Sequence, residues 1–560
     1  MKNQKQKTTI AILVSLVVII VLIIKGIYFP IKDAGTQTRA QNDYFPTDDW
    51  RTSTPEEQGI DSGKLANMLQ RIENFSGIRS ILIIRHGHLV LECYRPPYDK
   101  SIGINVMSVT KSFMSALTGI AIRENHIAGV DQKVSDLLPE YFTTAEPRKK
   151  EITLEQLLTM SAGFPSVEPY DDMFEWPRSK DWVEHVINLP LESEPGSNFT
   201  YSSGLTHLMS AIITKTSGMS TLEFAEKHLF DPIGIKLKSW AQDPNGIYNG
   251  GAYLTITPRD MAKFGYLYLN EGIWDGKEII PKEWIKSSTE SHINTNRDLP
   301  VDKYGYWWWL NKDYYLASGW GGQYIFVSPK LDLVAVFTST DARQPLEIYQ
   351  NYVSKSVKSD TPLKPNPDDV ERMNTAIERI ANPKIESSKP EPGLIEKING
   401  KTFKLNQNEV GLDSFSLSFY DSHCTFNYKQ VNKNGQVLES EFPVGINGEY
   451  KTSMIKYHPT YFEVDMVQFP NYKPSKMDEL FINNKLFLPV DEPNAPNDYS
   501  AAFAGNWIDE STFQLISISP IESPYKSLII FEFDENKVNL VLASASFEFR
   551  ADVEGVMVYD

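Results

Sequence analysis

Asn105-Val106-Met107-Ser108-Val109-Thr110-Lys111-Ser112-Phe113 is the stretch on which the reading of this chain turns. The pattern from Ser112 to Glu124 predicts a helix, with Phe113, Leu117, Ile120 and Ala121 on one apolar stripe. Ser108 then stands at the N-terminal end of that helix. Lys111 follows three residues on, so the two side chains share a face, one turn apart. A serine hydroxyl is a weak nucleophile until a base takes its proton. An amine held partly out of water gives up its proton more readily and can be that base. The start of a helix also supplies free N–H groups and partial positive charge where an oxyanion would develop. The short string by itself is a weak signal, since it occurs by chance in long chains and reads first as a capped, solvated helix start. Its weight comes from context: a predicted strand hairpin precedes it, and two further motifs follow.

With 560 residues the chain exceeds a single core, and two domains with appendages are expected. The formal net charge is -17, with no basic block beyond the N-terminus, which argues against nucleic acid as a partner. Cys93 and Cys424 are the two cysteines, too few for a cysteine metal site or a disulfide framework.

Lys2, Lys5 and Lys7 precede an apolar run from Ile10 to Ile24 that is interrupted only by Ser15. A helix from Ile10 to Phe29 would be about 30 Å long, the thickness of a bilayer core. The segment reads as an uncleaved transmembrane anchor. A cleaved signal peptide, giving a secreted protein, is the alternative. The charge bias places the N-terminus inside and the bulk of the chain on the extracytoplasmic side of the cell membrane, as a single-pass protein. Residues 31–50 read as a polar tether.

Ile60 to Phe75 has the spacing of an amphipathic helix. The runs Ile81–Ile84 and Leu89–Leu91 flank Arg85-His86-Gly87-His88 as a hairpin. His86 and His88 read as turn residues, because no third metal ligand is near. Thr153-Leu154-Glu155-Gln156 is a capping box opening a helix that Gly163 stops. Residues 164–200 read as irregular, with Phe164, Tyr170, Phe174, Trp176 and Trp182 forming either a cleft wall or a packed surface loop.

The second motif is Pro195-Gly196-Ser197-Asn198-Phe199-Thr200-Tyr201-Ser202-Ser203-Gly204, a turn entering a helix through Leu208, Ile212 and Ile213. A tyrosine at such a junction can present its hydroxyl to a cleft, and a phenolate beside an ammonium can accept a serine proton. Gly250-Gly251-Ala252-Tyr253-Leu254 and Thr257-Pro258-Arg259-Asp260 precede a helix from Met261 to Leu269. The third motif is Tyr315-Leu316-Ala317-Ser318-Gly319-Trp320-Gly321-Gly322-Gln323-Tyr324, with strands after it. It reads as a tight glycine turn, or as an edge whose N–H completes an oxyanion hole with that of Ser108. Prolines crowd 359–395, which reads as a linker around a short helix near Val370–Ile380. Beyond it, Phe415/Leu417/Phe419, Phe462/Val464/Met466 and Val538/Leu540/Leu542 alternate with period two. That pattern predicts an antiparallel β domain, a small barrel or sandwich.

With these motifs in this order, residues 45–355 resemble the serine β-lactamase/penicillin-binding-protein-like hydrolases. Class C β-lactamases, related esterases and 6-aminohexanoate-dimer hydrolases are the nearer look-alikes. The resemblance implies an α/β fold of the α+β type, an antiparallel sheet flanked by helices with the site between sheet and helical lobe. It implies Ser108 as the acylated nucleophile, Lys111 and Tyr201 as its base system, and the backbone N–H groups of Ser108 and Trp320 as the oxyanion hole. Ser203, Ser318, Gly319 and Gly321 would line the substrate cleft. No metal and no cofactor is called for. The second motif usually ends in asparagine where Ser203 stands, and the third usually carries a cation where Ala317 stands. Loss of that cation places small-molecule or peptide esters and amides above β-lactams as substrates. The expected division is anchor 1–30, tether 31–50, hydrolase 51–358, linker 359–395 and β domain 396–560. A membrane-anchored penicillin-binding or sensor-like protein, acylated without efficient turnover, is the alternative.

Overall fold

The computed structural model describes residues 44–560 apart from 74, 76, 168–175, 177–178, 296–300, 384–386, 409–410, 432–436, 447–448, 456–498, 519–525, 545–549 and 559–560. The anchor expected over 1–30 and most of the tether lie outside the described residues. Among the described residues, no helix is long and apolar enough to cross a membrane.

Helix α1 (Ser62–Ile72) buries Leu65, Met68, Leu69 and Ile72, the stripe legible in its spacing, and Asp61 caps it by accepting from the N–H of Lys64. The hairpin follows. Strands β1 (Ile78–Arg85) and β2 (His88–Tyr94) pair antiparallel across a turn in which His86 and Gly87 both take positive φ, 47° and 77°. His86 Nδ1 lies 3.1 Å from Gln58 Oε1, and His88 Nδ1 lies 3.1 Å from the carbonyl of His86. Both rings are thus held inside the turn.

Short strands β3 (Ile104–Asn105), β4 (Ser239–Trp240) and β5 (Leu254–Ile256) form a small sheet with β5 in the middle. The main sheet adds β6 (Ile293–Asn294), β7 (Lys303–Tyr304), β8 (Trp309–Leu310), β9 (Tyr315–Gly319), β10 (Gln323–Ser328) and β11 (Leu333–Ser339). Its order is β2–β1–β11–β10–β9–β8–β7–β6, antiparallel throughout. β1 and β11 are buried along their whole length, so both faces of the sheet centre are covered. The apolar runs Ile81–Ile84 and Leu333–Phe337 follow from that, because no position there is left for alternation.

The helices that bear on the site are α2 (Val109–Arg123), α3 (Ser203–Ser217) and α4 (Pro258–Leu269). α4 lies along β1, β10 and β11. Phe113 of α2 stacks on Phe264 of α4 with ring centres 3.7 Å apart, tying the helix that follows Ser108 to the sheet layer. The stretch 164–200, read as irregular, contains the helix Trp182–Asn188, capped by Asp181 and burying Trp182, Val183, Val186 and Ile187.

The proline-rich stretch is more than a linker. Helix α5 (Pro367–Ala381) runs through it, with Pro367 in its first turn and Asn366 as its cap. Met373, Ala376 and Ile380 belong to the same hydrophobic core as the main sheet. Arg379 pairs with Glu73, and Arg372 donates to Asn67.

Among the described residues, the C-terminal part forms one sheet of ten strands: β12 (Thr402–Leu405), β13 (Leu412–Phe419), β14 (His423–Val431), β15 (Val437–Ile446), β16 (Lys451–Ile455), β17 (Tyr499–Trp507), β18 (Thr512–Ile518), β19 (Lys526–Asp534), β20 (Lys537–Ser544) and β21 (Arg550–Met557). β15 pairs with β17 as well as with β14, so the sheet closes on itself as a barrel. Its interior is a separate aromatic core that includes Phe403, Phe415, Phe426, Phe442, Phe503, Phe513 and Phe531. The expected run Phe462/Val464/Met466 lies outside the described residues. A third, small cluster of Tyr98, Ile104 and Ile518, with Ile102, Tyr450 and Ile516 packed around it, joins the barrel to the first domain.

Candidate active site

The site begins with a turn under tension. Asn105 Oδ1 accepts the N–H of Met107 at 2.9 Å, and Met107 takes φ 51°, a left-handed conformation unusual for a residue with a side chain. The turn is held from both sides. Val106 donates to the carbonyl of Leu254 at 2.9 Å. Thr110 Oγ1 donates to Met107 at 2.6 Å and accepts from Leu254 N at 3.3 Å. The outcome is Ser108, half-buried, at the mouth of α2, which starts at Val109 rather than Ser112.

Lys111 is 1% exposed. Its ammonium donates to Ser108 Oγ at 2.9 Å, Ser203 Oγ at 2.8 Å and the Gly251 carbonyl at 2.8 Å. Three donors meet three oxygen acceptors, two of them brought from other elements. Nζ also lies 4.8 Å from the centre of the Tyr201 ring, over its electron-rich face.

Tyr201 sits on the approach to α3, and that approach is pinned along its backbone. Thr200 donates to the Met160 carbonyl at 2.7 Å, Ser166 Oγ to the Tyr201 carbonyl at 2.9 Å, and Val167 N to Ser202 Oγ at 3.2 Å. The Tyr201 ring is half-buried and packs beside Trp309 and Tyr304, at 5.8 and 6.5 Å between ring centres. Ser203, where asparagine was expected, supplies a hydroxyl to the lysine. Hydroxyl, amine and phenol ring, from Ser108, Lys111 and Tyr201, therefore meet in one place.

The third motif abuts the same turn. A Cβ on Gly319 would stand 2.3 Å from the Val106 carbonyl oxygen, so this end of β9 requires a residue without a side chain. Beyond it, Gly321 and Gly322 take φ 77° and 94°, and the Gly322 N–H returns to the Gly319 carbonyl at 3.1 Å. Ser318 is half-buried and stands opposite Tyr324 on the neighbouring strand, whose phenol donates to the Ala342 carbonyl at 3.0 Å and is pushed by burial up to about 12. Ala317 is fully buried, so this motif contributes no cation to the cleft.

Two supporting residues have no catalytic signature in the chain. Gly251 acts through its carbonyl, and the only written hint is the paired glycine. Gly251 N and Ala252 N both donate to Asn249 Oδ1, at 2.8 and 3.2 Å, which fixes that carbonyl's direction. Gln323 is 1% exposed. Its amide donates to the carbonyls of Trp320 and Ser339 at 3.2 and 2.7 Å and accepts from Ser339 N at 3.3 Å. It clamps the glycine turn that carries Trp320. Among the described residues, no group of three or more His, Cys, Asp or Glu side chains could hold a metal ion.

The family model described as Beta-lactamase matches residues 70–357, a span that contains all three motifs. The chain belongs to the Beta-lactamase family. This member of the serine β-lactamase and penicillin-binding-protein group is 23% identical over 302 residues to the 6-aminohexanoate-dimer hydrolase of Paenarthrobacter ureafaciens, covering 50% of this chain and 76% of that protein. It is 28% identical over 149 residues to the lovastatin esterase of Penicillium rubens, covering 23% of this chain and 37% of that protein. Among solved structures, the octameric penicillin-binding protein homologue from Pyrococcus abyssi aligns with a TM-score of 0.44 and 16% identity, over 89% of this chain and 100% of that one. The penicillin-binding protein from Bacillus halodurans aligns with a TM-score of 0.42 and 15% identity, over 51% and 99%.

Proposed function

We propose that this Beta-lactamase family member is a serine hydrolase that cleaves ester or amide bonds through an acyl-enzyme on Ser108. The observation that carries the reading is the 2.9 Å contact between Lys111 Nζ and Ser108 Oγ, on an ammonium that also lies over the Tyr201 ring. Ser108 Oγ attacks the acyl carbon as its proton passes to the Lys111–Tyr201 pair. The N–H groups of Ser108 and Trp320 take the oxyanion. The bond to the leaving alcohol or amine then breaks, and the pair returns the proton to it. Water, deprotonated by the same pair, attacks the ester on Ser108; the bond from the acyl carbon to Oγ breaks, the pair returns the proton to Oγ, and the acid leaves. Each step is general acid–base chemistry, which is worth about 10²–10⁴ in rate where the groups are well placed.

Ala317 in place of a cation favours neutral acyl substrates over those that carry a carboxylate beside the scissile bond. Names of relatives that act on an amide dimer and on an ester point to the same bond types. The apolar run Ile10–Ile24 with its flanking lysines supports an N-terminal anchor and a site outside the cytoplasm. A panel of short acyl esters, linear amides, D-alanyl peptides and β-lactams, assayed on the wild type and Ser108→Ala, tests the reading. Ester or amide turnover that Ser108→Ala abolishes is expected. Faster turnover of a chromogenic cephalosporin than of any ester would reverse the substrate ranking. A permanent adduct on Ser108 would make the protein a sensor rather than a hydrolase.

A further inference from the structure

Along β18 the outward positions change character. Thr512 and Gln514 are polar and half-buried at one end, whereas Ile516 and Ile518 are apolar at the other. Phe513 and Leu515 point into the barrel core, and Ile516 and Ile518 do not belong to it. Two isoleucines on the outside of a barrel strand need cover. Their cover is the segment 98–104 of the first domain: Tyr98 and Ile104 are buried with Ile518, and Ile102, Tyr450 and Ile516 close the cluster.

That segment leads directly to the nucleophile. Arg95 fixes its start, donating to the carbonyls of Ile72 and Ile78 at 2.8 and 3.2 Å. Within it, Asp99 caps the N–H groups of Ser101 and Ile102, and the Arg79 guanidinium lies over the Tyr98 ring. Its far end is Ile104, which pairs with Ile256, and Asn105, whose side chain holds Met107 in its left-handed conformation. Ser108 comes next. The barrel therefore packs on the strand from which the strained turn is hung.

We infer that the C-terminal barrel is a buttress of the active site, with Ile516 and Ile518 as positioning residues that hold segment 98–104 and, through it, the Met107–Ser108 turn. The inference rests on Ser108 being the nucleophile. An attacking oxygen displaced by about 1 Å loses up to about 100-fold in rate, so a soft support is felt in acylation before it is felt in the stability of either core.

The test uses the full chain with Ile518→Asp on the barrel side, Ile102→Asp on the facing side and Ile518→Val as the conservative control. Two readouts are taken: the rate of Ser108 labelling by a fluorophosphonate probe, and hydrogen–deuterium exchange of peptides spanning 98–110. Both aspartate variants are expected to label at least about tenfold more slowly, with faster exchange over 98–110 and unchanged exchange in the strands of the two cores. Ile518→Val is expected within about twofold of wild type on both readouts. Unchanged exchange over 98–110 in the aspartate variants overturns the buttress. Faster exchange with an unchanged labelling rate overturns its bearing on catalysis. If wild type and Ser108→Ala are both unlabelled, the reading of Ser108 fails separately, and the exchange readout still decides whether the barrel holds the segment.

Discussion

Lys111 Nζ lies 2.8 Å from the carbonyl oxygen of Gly251, a contact between residues 140 positions apart. The loop carrying Gly251 thereby sets the direction of an amine whose other two protons go to Ser108 and Ser203. Its position is tight: a Cβ on Gly251 would stand 2.7 Å from the Cβ of Ser203. Gly251→Ala is therefore expected to push the loop off α3, costing about 1–3 kcal/mol in denaturant unfolding and at least about tenfold in turnover.

Lys111→Arg is not conservative here. A guanidinium is planar, wider and permanently protonated, so it cannot share a proton with Tyr201 as the proposed base pair requires, nor fit three acceptors around one nitrogen. Both Lys111→Arg and Lys111→Ala should lose about 10²–10⁴ in the rate of acylation, measured by the burst of product from an activated ester.

Tyr201 contributes a ring and a hydroxyl, and the two are separable. Tyr201→Phe keeps the ring over the ammonium and removes the proton carrier. It should lose about 10²–10⁴ in kcat with little change in KM or melting temperature. Tyr201→Ala also removes the ring contact, worth about 0.5–2 kcal/mol, and should lower the melting temperature as well.

Gln323 is a buried amide whose oxygen and nitrogen are both used. Gln323→Ala leaves the Ser339 carbonyl without its donor, for about 1–3 kcal/mol of lost stability in urea unfolding. It also removes the bond to the Trp320 carbonyl and so loosens the turn that the proposed oxyanion hole uses. Turnover should fall by more than the same loss of stability produces at a site remote from the cleft.

Burial pushes the thiols of Cys93 and Cys424 up to about 12 from 9.0. At pH 8 both are neutral in the folded chain, so the native protein should not react with a disulfide reagent, and two thiols should appear on unfolding. Between pH 9 and 12 the unfolded chain releases protons that the folded chain keeps. Stability contributed by these groups is therefore lost as pH rises through that window, visible as a falling midpoint in denaturant.

Local chemistry was the legible part. Ser108 and Lys111 share one helical turn, so their spacing alone places them together, whereas Tyr201, one tyrosine among 27, stood out only through the order of the three motifs. The Gly251 carbonyl and the Gln323 clamp were not legible: one acts through backbone, the other across a strand pair, and neither leaves a residue-type signature. The helix near Val370–Ile380 was legible, but not its start at Pro367 or its place in the main core, because prolines at 362, 365 and 367 suggest a linker, although Pro367 is in the one place where a helix accepts proline. The seven-residue helix Trp182–Asn188 is too short for a period to show. Alternation foretold the strands of the C-terminal domain. Its closure through β15 and β17 depends on partners far apart in the chain, which alternation does not encode.

Because Met373, Ala376 and Ile380 complete a core whose other wall is laid down near residue 65, the half matched by the family model leaves that core incomplete until α5 has been made. A gene shortened to the end of the family match would yield a product with the apolar side of α1 laid open to water. Such a product should stick to chaperones or precipitate more than one ending just past Ala381, which keeps α1 covered and exposes only the smaller face of segment 98–104.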